Sequence, residues 1–224
     1  MAGEIQSIRQ HFETVSALRG ARAVDARLGR RVAAVKRHQH ERFGRDYASL
    51  MESPRYGAAA RFFLEELYGP TDFADRDAQF GRVIPAMAHV LPSFVMHTIA
   101  QLTELHALSE SLDQQMAQAL ASGEVDDRSY RAAWQAVGNR EKREQQLTLL
   151  REIGGALDRH TRSSWLAATL KMMRGPAKAA GLAKLQSFLE GGLAAFSAMD
   201  GAEEFLGTIT SNERRWIDQM FAHP

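Results

Sequence analysis

Apolar residues recur at every third or fourth position along almost the whole chain, a spacing that places them on one face of successive α-helices. No segment shows the alternation of apolar and polar residues that is typical of a half-buried strand. The pattern therefore predicts an all-α protein, a multi-helix bundle of about eight helices. The clearest stripe lies between Ser93 and Ala121 and consists of Val95, Ile99, Leu102, Leu105, Leu108, Leu112, Met116 and Leu120.

Short turn signals separate the predicted helices. The pattern predicts one long helix over 24–51, and Gly175-Pro176 favours the end of a later helix, because glycine suits a helix C-cap and proline cannot extend a helix. No linker is long enough to divide the chain, so we expect a single all-α domain over residues 1–224. A glycine break marks residues 1–20 as a possible peripheral N-terminal helix.

Two Gly-Gly pairs, at 154–155 and 191–192, lie inside predicted helices. Glycine costs about 1 kcal/mol relative to alanine in a helix interior, so its presence there needs a compensating reason. We expect these glycines to allow close approach of a second helix, with a local bend as the alternative.

The segment 61–80, RFFLEELYGPTDFADRDAQF, combines an adjacent pair of phenylalanines, a Gly-Pro break and five acidic residues. Gly-Pro ends one helix and the aspartates favour the start of the next, which indicates a corner between two helices rather than an active site. Arg76 is expected to pin this corner by pairing with Glu65, Glu66 or Asp72. The residues assigned to the structural corner are Tyr68, Gly69, Pro70, Asp72, Phe73, Arg76 and Asp77.

Composition excludes some chemistries. The 224 residues include no cysteine, which excludes disulfides, thiol catalysis and cysteine-based metal sites. No apolar run approaches the ~18 residues of a membrane span, and Glu4 interrupts the N-terminal segment, so we expect a cytoplasmic protein with no membrane partner.

The net charge is +1, yet residues 1–48 hold ten Lys and Arg against five Asp and Glu. Helical spacing puts several of these arginines on one face of the predicted helix 24–51. Such a face binds phosphates when its charges project together, so nucleic-acid binding is one hypothesis and a solvated helix is the alternative. The possible basic face consists of Arg27, Arg31, Arg42 and Arg45.

No complete catalytic motif is present. The Glu-x-x-His pairs of di-iron bundles are missing, as are a zincin motif and a phosphate-binding glycine loop. His97, Gln101 and Glu104 share one helical face and form a possible ligand pocket. We therefore predict no catalytic residue, no metal and no cofactor, and we favour a non-enzyme while leaving the question open. Haem needs only one axial histidine, for which His89, His97, His106 and His160 are formally eligible.

The segment FFLEELYGPTDFADRD at 62–77 resembles the FFLxxLYGPxDFxxRD signature of a family of uncharacterised proteobacterial helical proteins. The resemblance continues through 102–120, 174–199 and 201–209. It implies a small intracellular all-α protein, and it implies no reaction, cofactor or catalytic residue.

Three functional hypotheses follow. The first is a non-enzymatic protein that acts through protein contacts, as a homodimer or with another protein, because apolar stripes are ample and no catalytic constellation is complete. The alternative is a helical bundle that binds a small ligand, haem or metal near the 62–77 corner and the His97/Glu104 helix. The third is nucleic-acid binding through the basic helix near 27–45.

Overall fold

The computed structural model describes residues 2–67, 74–121, 123–161 and 164–222, with the backbone alone at 67, 76, 85–90 and 164. Within these ranges the chain is helical and contains no β-strand, which confirms the all-α class. A π-helical segment, Phe63–Leu67, directly follows the fourth helix. The α-helices are α1 (Ala2–Val24), α2 (Ala26–Asp46), α3 (Ala48–Glu52), α4 (Gly57–Phe62), α5 (Ala74–Val90), α6 (Ser93–Ala119), α7 (Asp127–Val137), α8 (Arg140–Thr161), α9 (Ser164–Ala179), α10 (Ala183–Ala198) and α11 (Glu203–Phe221).

The described ranges hold eleven α-helices, more than the eight or so that the sequence predicts. One cause is Tyr47, which separates α2 from α3 with φ −115° and ψ 19°. Its ring is buried, and its hydroxyl donates to Glu213 Oε1 at 2.7 Å. A contact with a residue far along the chain therefore divides the long helix predicted over 24–51.

Two predicted helix ends are wrong. α1 continues through Gly20 to Val24, because the packing of its buried residues Ile8 and Val15 outweighs the small propensity cost of one glycine. α9 continues through Pro176 to Ala179. Proline has no N–H to donate, but the Pro176 carbonyl still accepts from the backbone N of Ala180 at 2.9 Å, so the helical ladder resumes.

The longest helix, α6, is the centre of the fold and packs against α1, α2, α7 and α8. Five of the eight residues of its predicted apolar stripe are buried as expected, namely Val95, Ile99, Leu112 and Met116 within the helix and Leu120 just beyond its end. Leu102, Leu105 and Leu108 are only partly buried, while several polar residues of the same helix are buried in full. With neighbours on several sides, α6 buries a polar face as well as an apolar one.

The apolar core consists of three clusters. The first surrounds Phe63 and Phe205 and joins α4, α8, α10 and α11. The second surrounds Trp134 and joins α2, α6, α7 and α11, and the third surrounds Phe80 and Leu185 and joins α1, α5, α6 and α10. No helix in the described ranges has the length and apolarity to cross a membrane.

The Gly-Gly pairs lie at close helix contacts, as predicted. A Cβ added at Gly154 would lie 2.4 Å from Leu206 Cδ2, and one at Gly192 would lie 3.0 Å from Phe62 Cζ. The other glycine of each pair leaves ordinary space, with nearest distances of 3.5 Å and 3.6 Å. One position in each pair therefore requires glycine for the approach of a neighbouring side chain.

Candidate functional site

Charged and polar side chains are buried around a cavity that is lined by eight helices and the π-helical segment. Charged groups are rarely buried unless they are paired, so their partners define the site. In the described part of the chain, the buried polar residues are His38, Arg42, Asp77, Thr98, Thr103, Glu110, Asp113, Gln114, Arg143 and Glu213.

Glu110 of α6 joins α1 and α2 to the central helix. Arg22 Nη1 donates to Glu110 Oε2 at 2.5 Å, and Lys36 Nζ donates to Glu110 Oε1. Lys36 also lies 3.5 Å from Asp113 Oδ2, and Gln39 Nε2 donates to Asp113 Oδ1 at 2.9 Å. Burial alone would raise the pKa of Glu110, but Lys36 and Arg22 outweigh it and lower that pKa to about 2. Glu110 is therefore ionised at neutral pH.

Glu213 of α11 forms a second buried pair. Arg42 of α2 donates to it in a bidentate arrangement, from Nη1 at 2.9 Å and from Nη2 at 2.8 Å. The Arg42 guanidinium also lies 4.7 Å from the ring centroid of Trp216. Because Tyr47 donates to the same carboxylate, both oxygens of Glu213 are engaged by α2 and the residue that follows it.

Asp77 of α5 forms a third pair. Its Oδ2 accepts from Arg19 Nη2 at 2.8 Å and lies 2.8 Å from His106 Nε2. Burial alone would raise the pKa of Asp77, but His106 and Arg19 together lower it. The residue assigned by sequence to a helix corner therefore joins α5 to α1 and α6.

Aromatic rings and a further arginine complete the polar wall. The Arg143 guanidinium lies 3.8 Å from the ring centroid of Trp134 and donates to Gln146 Oε1 at 3.4 Å. The Tyr130 hydroxyl accepts from Gln39 Nε2 at 3.2 Å. Burial raises the pKa of Tyr130, although Arg143 and Arg42 oppose that rise, so both guanidiniums act on this phenol.

These groups surround a cavity of about 170 Å³. Its polar wall comes mainly from α2, α6, α7, α8 and α11, and Phe12, Phe80, Leu185 and Phe188 line an apolar part. A dry apolar cavity of roughly 150 Å³ is known to hold benzene, so this space accepts one small ring or several waters. It is smaller than the pockets of drug-sized ligands.

The predicted pocket of His97, Gln101 and Glu104 does not converge on one site. His97 is 64% exposed, with Nδ1 3.7 Å from Glu4 Oε1, and Gln101 donates to Glu152. Both line a wide surface groove of about 1380 Å³ whose lining does not include Glu104. Glu104 instead accepts from Gln145 Nε2 at 2.7 Å. No group of three or more acidic or histidine side chains is placed to hold a metal ion in the described residues.

Several of the other predicted site residues lie outside the part of the chain that the structure describes. The corner residues Tyr68, Gly69, Pro70, Asp72 and Phe73, the side chain of Arg76 and the side chain of the haem candidate His89 lie outside the described residues.

The predicted basic face is not continuous. Arg42 is buried and paired with Glu213, and Arg31 Nη2 donates to the carbonyl of Ala121 at 3.1 Å. Arg27 and Arg45, by contrast, are exposed. Arg42 shares the inward side of α2 with Val35 and His38, which are also buried. Nucleic-acid binding stays a prediction, with fewer free charges than the sequence indicates.

Sequence reasoning missed Glu110, Asp113 and Glu213 as site residues. A signal was present in α6, where Thr103, Glu110 and Asp113 follow one another at spacings of seven and three residues, which place them on one helical face. That spacing indicates a polar face beside the apolar stripe. It does not reveal whether the face is solvated or buried.

A family model described as "Domain of unknown function (DUF8198)" matches residues 18–224. The chain belongs to the DUF8198 family. The DUF8198 match includes Arg19 and Arg22 and their carboxylate partners Asp77 and Glu110, so the ion pairs described above lie inside the family's extent, whereas Phe12 of the apolar wall lies outside it. No curated protein and no solved structure matches the chain.

Proposed function

We propose that this protein binds a small organic molecule in its interior cavity. The observation that carries the proposal is the combination of a space of about 170 Å³ between the helices with three ion pairs, centred on the buried carboxylates of Glu110, Glu213 and Asp77, in its walls. Taking charges out of water costs several kcal/mol per ion, and well-packed apolar residues often stabilise a core equally well. Polar groups kept around a void therefore favour recognition of a ligand.

Binding is tested by filling the cavity. Ser109 of α6 lines it, and a leucine there would occupy part of the space. The matched control is Ser197→Leu, because Ser197 is an exposed position of α10. Thermal-shift measurements with a panel of small carboxylates, amides and amines are compared among the native chain, Ser109→Leu and Ser197→Leu.

We expect at least one compound to raise the melting temperature of the native chain and of Ser197→Leu, and to leave Ser109→Leu unchanged. Circular dichroism verifies that the variants keep their helices. A panel without any binder, or a binder that stabilises Ser109→Leu equally, contradicts the proposal.

A second function, self-association through protein contacts, is favoured by the outer face of α9. Trp165, Met172 and Met173 are 39%, 73% and 44% exposed, and Ala177 is the only buried residue among the described side chains of this helix. Exposed apolar patches of this kind often mark protein contacts. We propose a homodimer with α9 at its interface. Sedimentation equilibrium should show a dimer that Met172→Glu dissociates, and a monomer at all concentrations tested would exclude it.

A further inference from the structure

Two residues that line the cavity carry buried hydrogen-bond donors with no acceptor among the described residues. Trp134 is 5% exposed, and its indole Nε1 is buried without an acceptor. The Nε1 of Trp216 is also buried without an acceptor, and both residues line the cavity. An indole N–H donates only, so neither group is satisfied unless an acceptor enters the space. A buried donor left unsatisfied is unfavourable, which makes such groups rare in proteins.

Two buried carboxylates in the polar wall are already engaged. Both carboxylate oxygens of Glu110 accept from Arg22 and Lys36, and both oxygens of Glu213 accept from Arg42. These two carboxylates are therefore occupied by cations, whereas the two indole N–H groups have no acceptor among the described residues.

A third donor lies beside the indoles. The phenol of Tyr130 accepts from Gln39, and its own hydrogen has no acceptor among the described residues. Tyr130 and Trp134 lie one turn apart on α7, with ring centroids 6.0 Å apart. The complementary ligand must therefore bring acceptor oxygens.

Two guanidiniums lie against these indoles, and one of them, that of Arg42, is already paired with Glu213. A guanidinium stacks on each indole, that of Arg143 at 3.8 Å from Trp134 and that of Arg42 at 4.7 Å from Trp216. A positive charge beside a donor strengthens its hydrogen bond to an anion. The opposite wall differs, because Phe80, Leu185 and their neighbours belong to a separate apolar cluster.

We infer that the ligand is a small carboxylate with a single apolar ring or branched group, whose oxygens accept from the indole N–H groups of Trp134 and Trp216. Its apolar part packs toward Phe80 and Leu185. This inference rests on the proposed cavity function and adds the chemical class of the ligand. The cavity volume limits the apolar part to about the size of benzene.

Tryptophan fluorescence provides a direct test. The chain has three tryptophans, and Trp165→Phe removes the exposed one, so that both remaining indoles lie in the cavity. This variant is titrated with benzoate, benzamide and benzylamine, which share a ring and differ in the group it carries. We expect saturable fluorescence changes with benzoate, binding about tenfold weaker or more with benzamide, and none with benzylamine, since a hydrogen bond to a charged group is the stronger kind.

Two further variants locate the carboxylate. In the Trp165→Phe background, Trp134→Phe and Trp216→Phe each remove one N–H and keep an aromatic ring. Each should weaken benzoate binding about tenfold or more, measured by the fluorescence of the remaining indole and by calorimetry. Near-ultraviolet circular dichroism verifies that the variants keep their packing. Benzoate, benzamide and benzylamine are compared in the Trp165→Phe variant alone, so that comparison holds even if the two further variants lose their packing.

The outcomes separate this inference from the proposed function. Tighter binding of benzamide or benzylamine than of benzoate, or unchanged benzoate affinity in both tryptophan variants, overturns the carboxylate inference. If none of the three probes binds while another panel compound binds the native chain and not Ser109→Leu, the carboxylate inference fails and the cavity function stands. If the whole panel fails as well, water alone fills the cavity and both proposals fail.

Discussion

Replacing Glu110 with glutamine tests whether the interior ion pairs stabilise the fold. Glutamine keeps the shape and neutral polarity of a protonated glutamate, so the substitution removes the charge and little else. After the substitution, the Nε of Arg22 can still donate to Gln114, which accepts from it at 2.9 Å. Lys36 still has Asp113 at 3.5 Å. Both cations are mostly buried, with side chains 12% and 23% exposed.

The magnitude follows from the pKa of Glu110, which the fold lowers from 4.5 to about 2. A group whose pKa is lower in the folded state adds stability above its unfolded pKa and loses it as the pH falls through the folded pKa. This lowering of the pKa adds roughly 3 kcal/mol to the free energy of unfolding at pH 7, and less than half of that contribution remains at pH 3. At pH 2 the native side chain is half protonated and resembles the variant.

The assay is urea unfolding followed by circular dichroism at pH 7 and pH 3. The free energy of unfolding of Glu110→Gln should be lower than that of the native chain by roughly 3 kcal/mol at pH 7 and by roughly 1 kcal/mol at pH 3. Glu144→Gln is the matched control, because Glu144 is 43% exposed and pairs with Arg140 on the surface; it should change stability by about 0.5 kcal/mol or less. A difference for Glu110→Gln that is the same at both pH values would refute the reasoning.

Two further predictions concern packing and geometry. Gly154→Ala should destabilise the fold by about 1–3 kcal/mol, because its Cβ would lie 2.4 Å from the buried Leu206, whereas Gly155→Ala should be neutral or stabilising by up to about 1 kcal/mol. Thermal unfolding measures both, and equal effects would contradict the close contact. Arg42→Lys should cost about 1–3 kcal/mol, because lysine cannot reproduce the bidentate contact with Glu213; the midpoint of urea unfolding measures it, and an unchanged midpoint would exclude that role.

Much of the fold could be predicted from local spacing. The buried positions of α6, such as Val95 and Met116, follow from their helical spacing, and Asp126 caps α7 as its position before that helix predicts, accepting from the backbone N of Ser129 at 2.7 Å. The number of helices could not be predicted in this way. α2 ends where Tyr47 reaches a carboxylate on α11, and no local pattern encodes that contact.

The candidate site was harder to predict because it depends on burial. A charged residue beside an apolar stripe is solvated in most proteins, so the sequence does not indicate that Glu110 and Glu213 are buried. Asp77 was noticed for its place after a Gly-Pro break, yet its partners Arg19 and His106 come from helices that only the tertiary fold brings near. The pocket of His97 and its neighbours stays a prediction, because sharing a helical face does not reveal which partners those side chains contact.

The contacts of Glu110 also set the positions of α1 and α2 along the axis of α6. Apolar stripes tolerate a slip of one turn, about 5.4 Å, because the next turn presents a similar surface. The same slip would move Arg22 and Lys36 well beyond hydrogen-bonding distance of the Glu110 carboxylate. The three charged groups would then be buried without these partners. Apolar faces bring the three helices together, and the buried polar contacts of Glu110 and Asp113 set their lengthwise alignment.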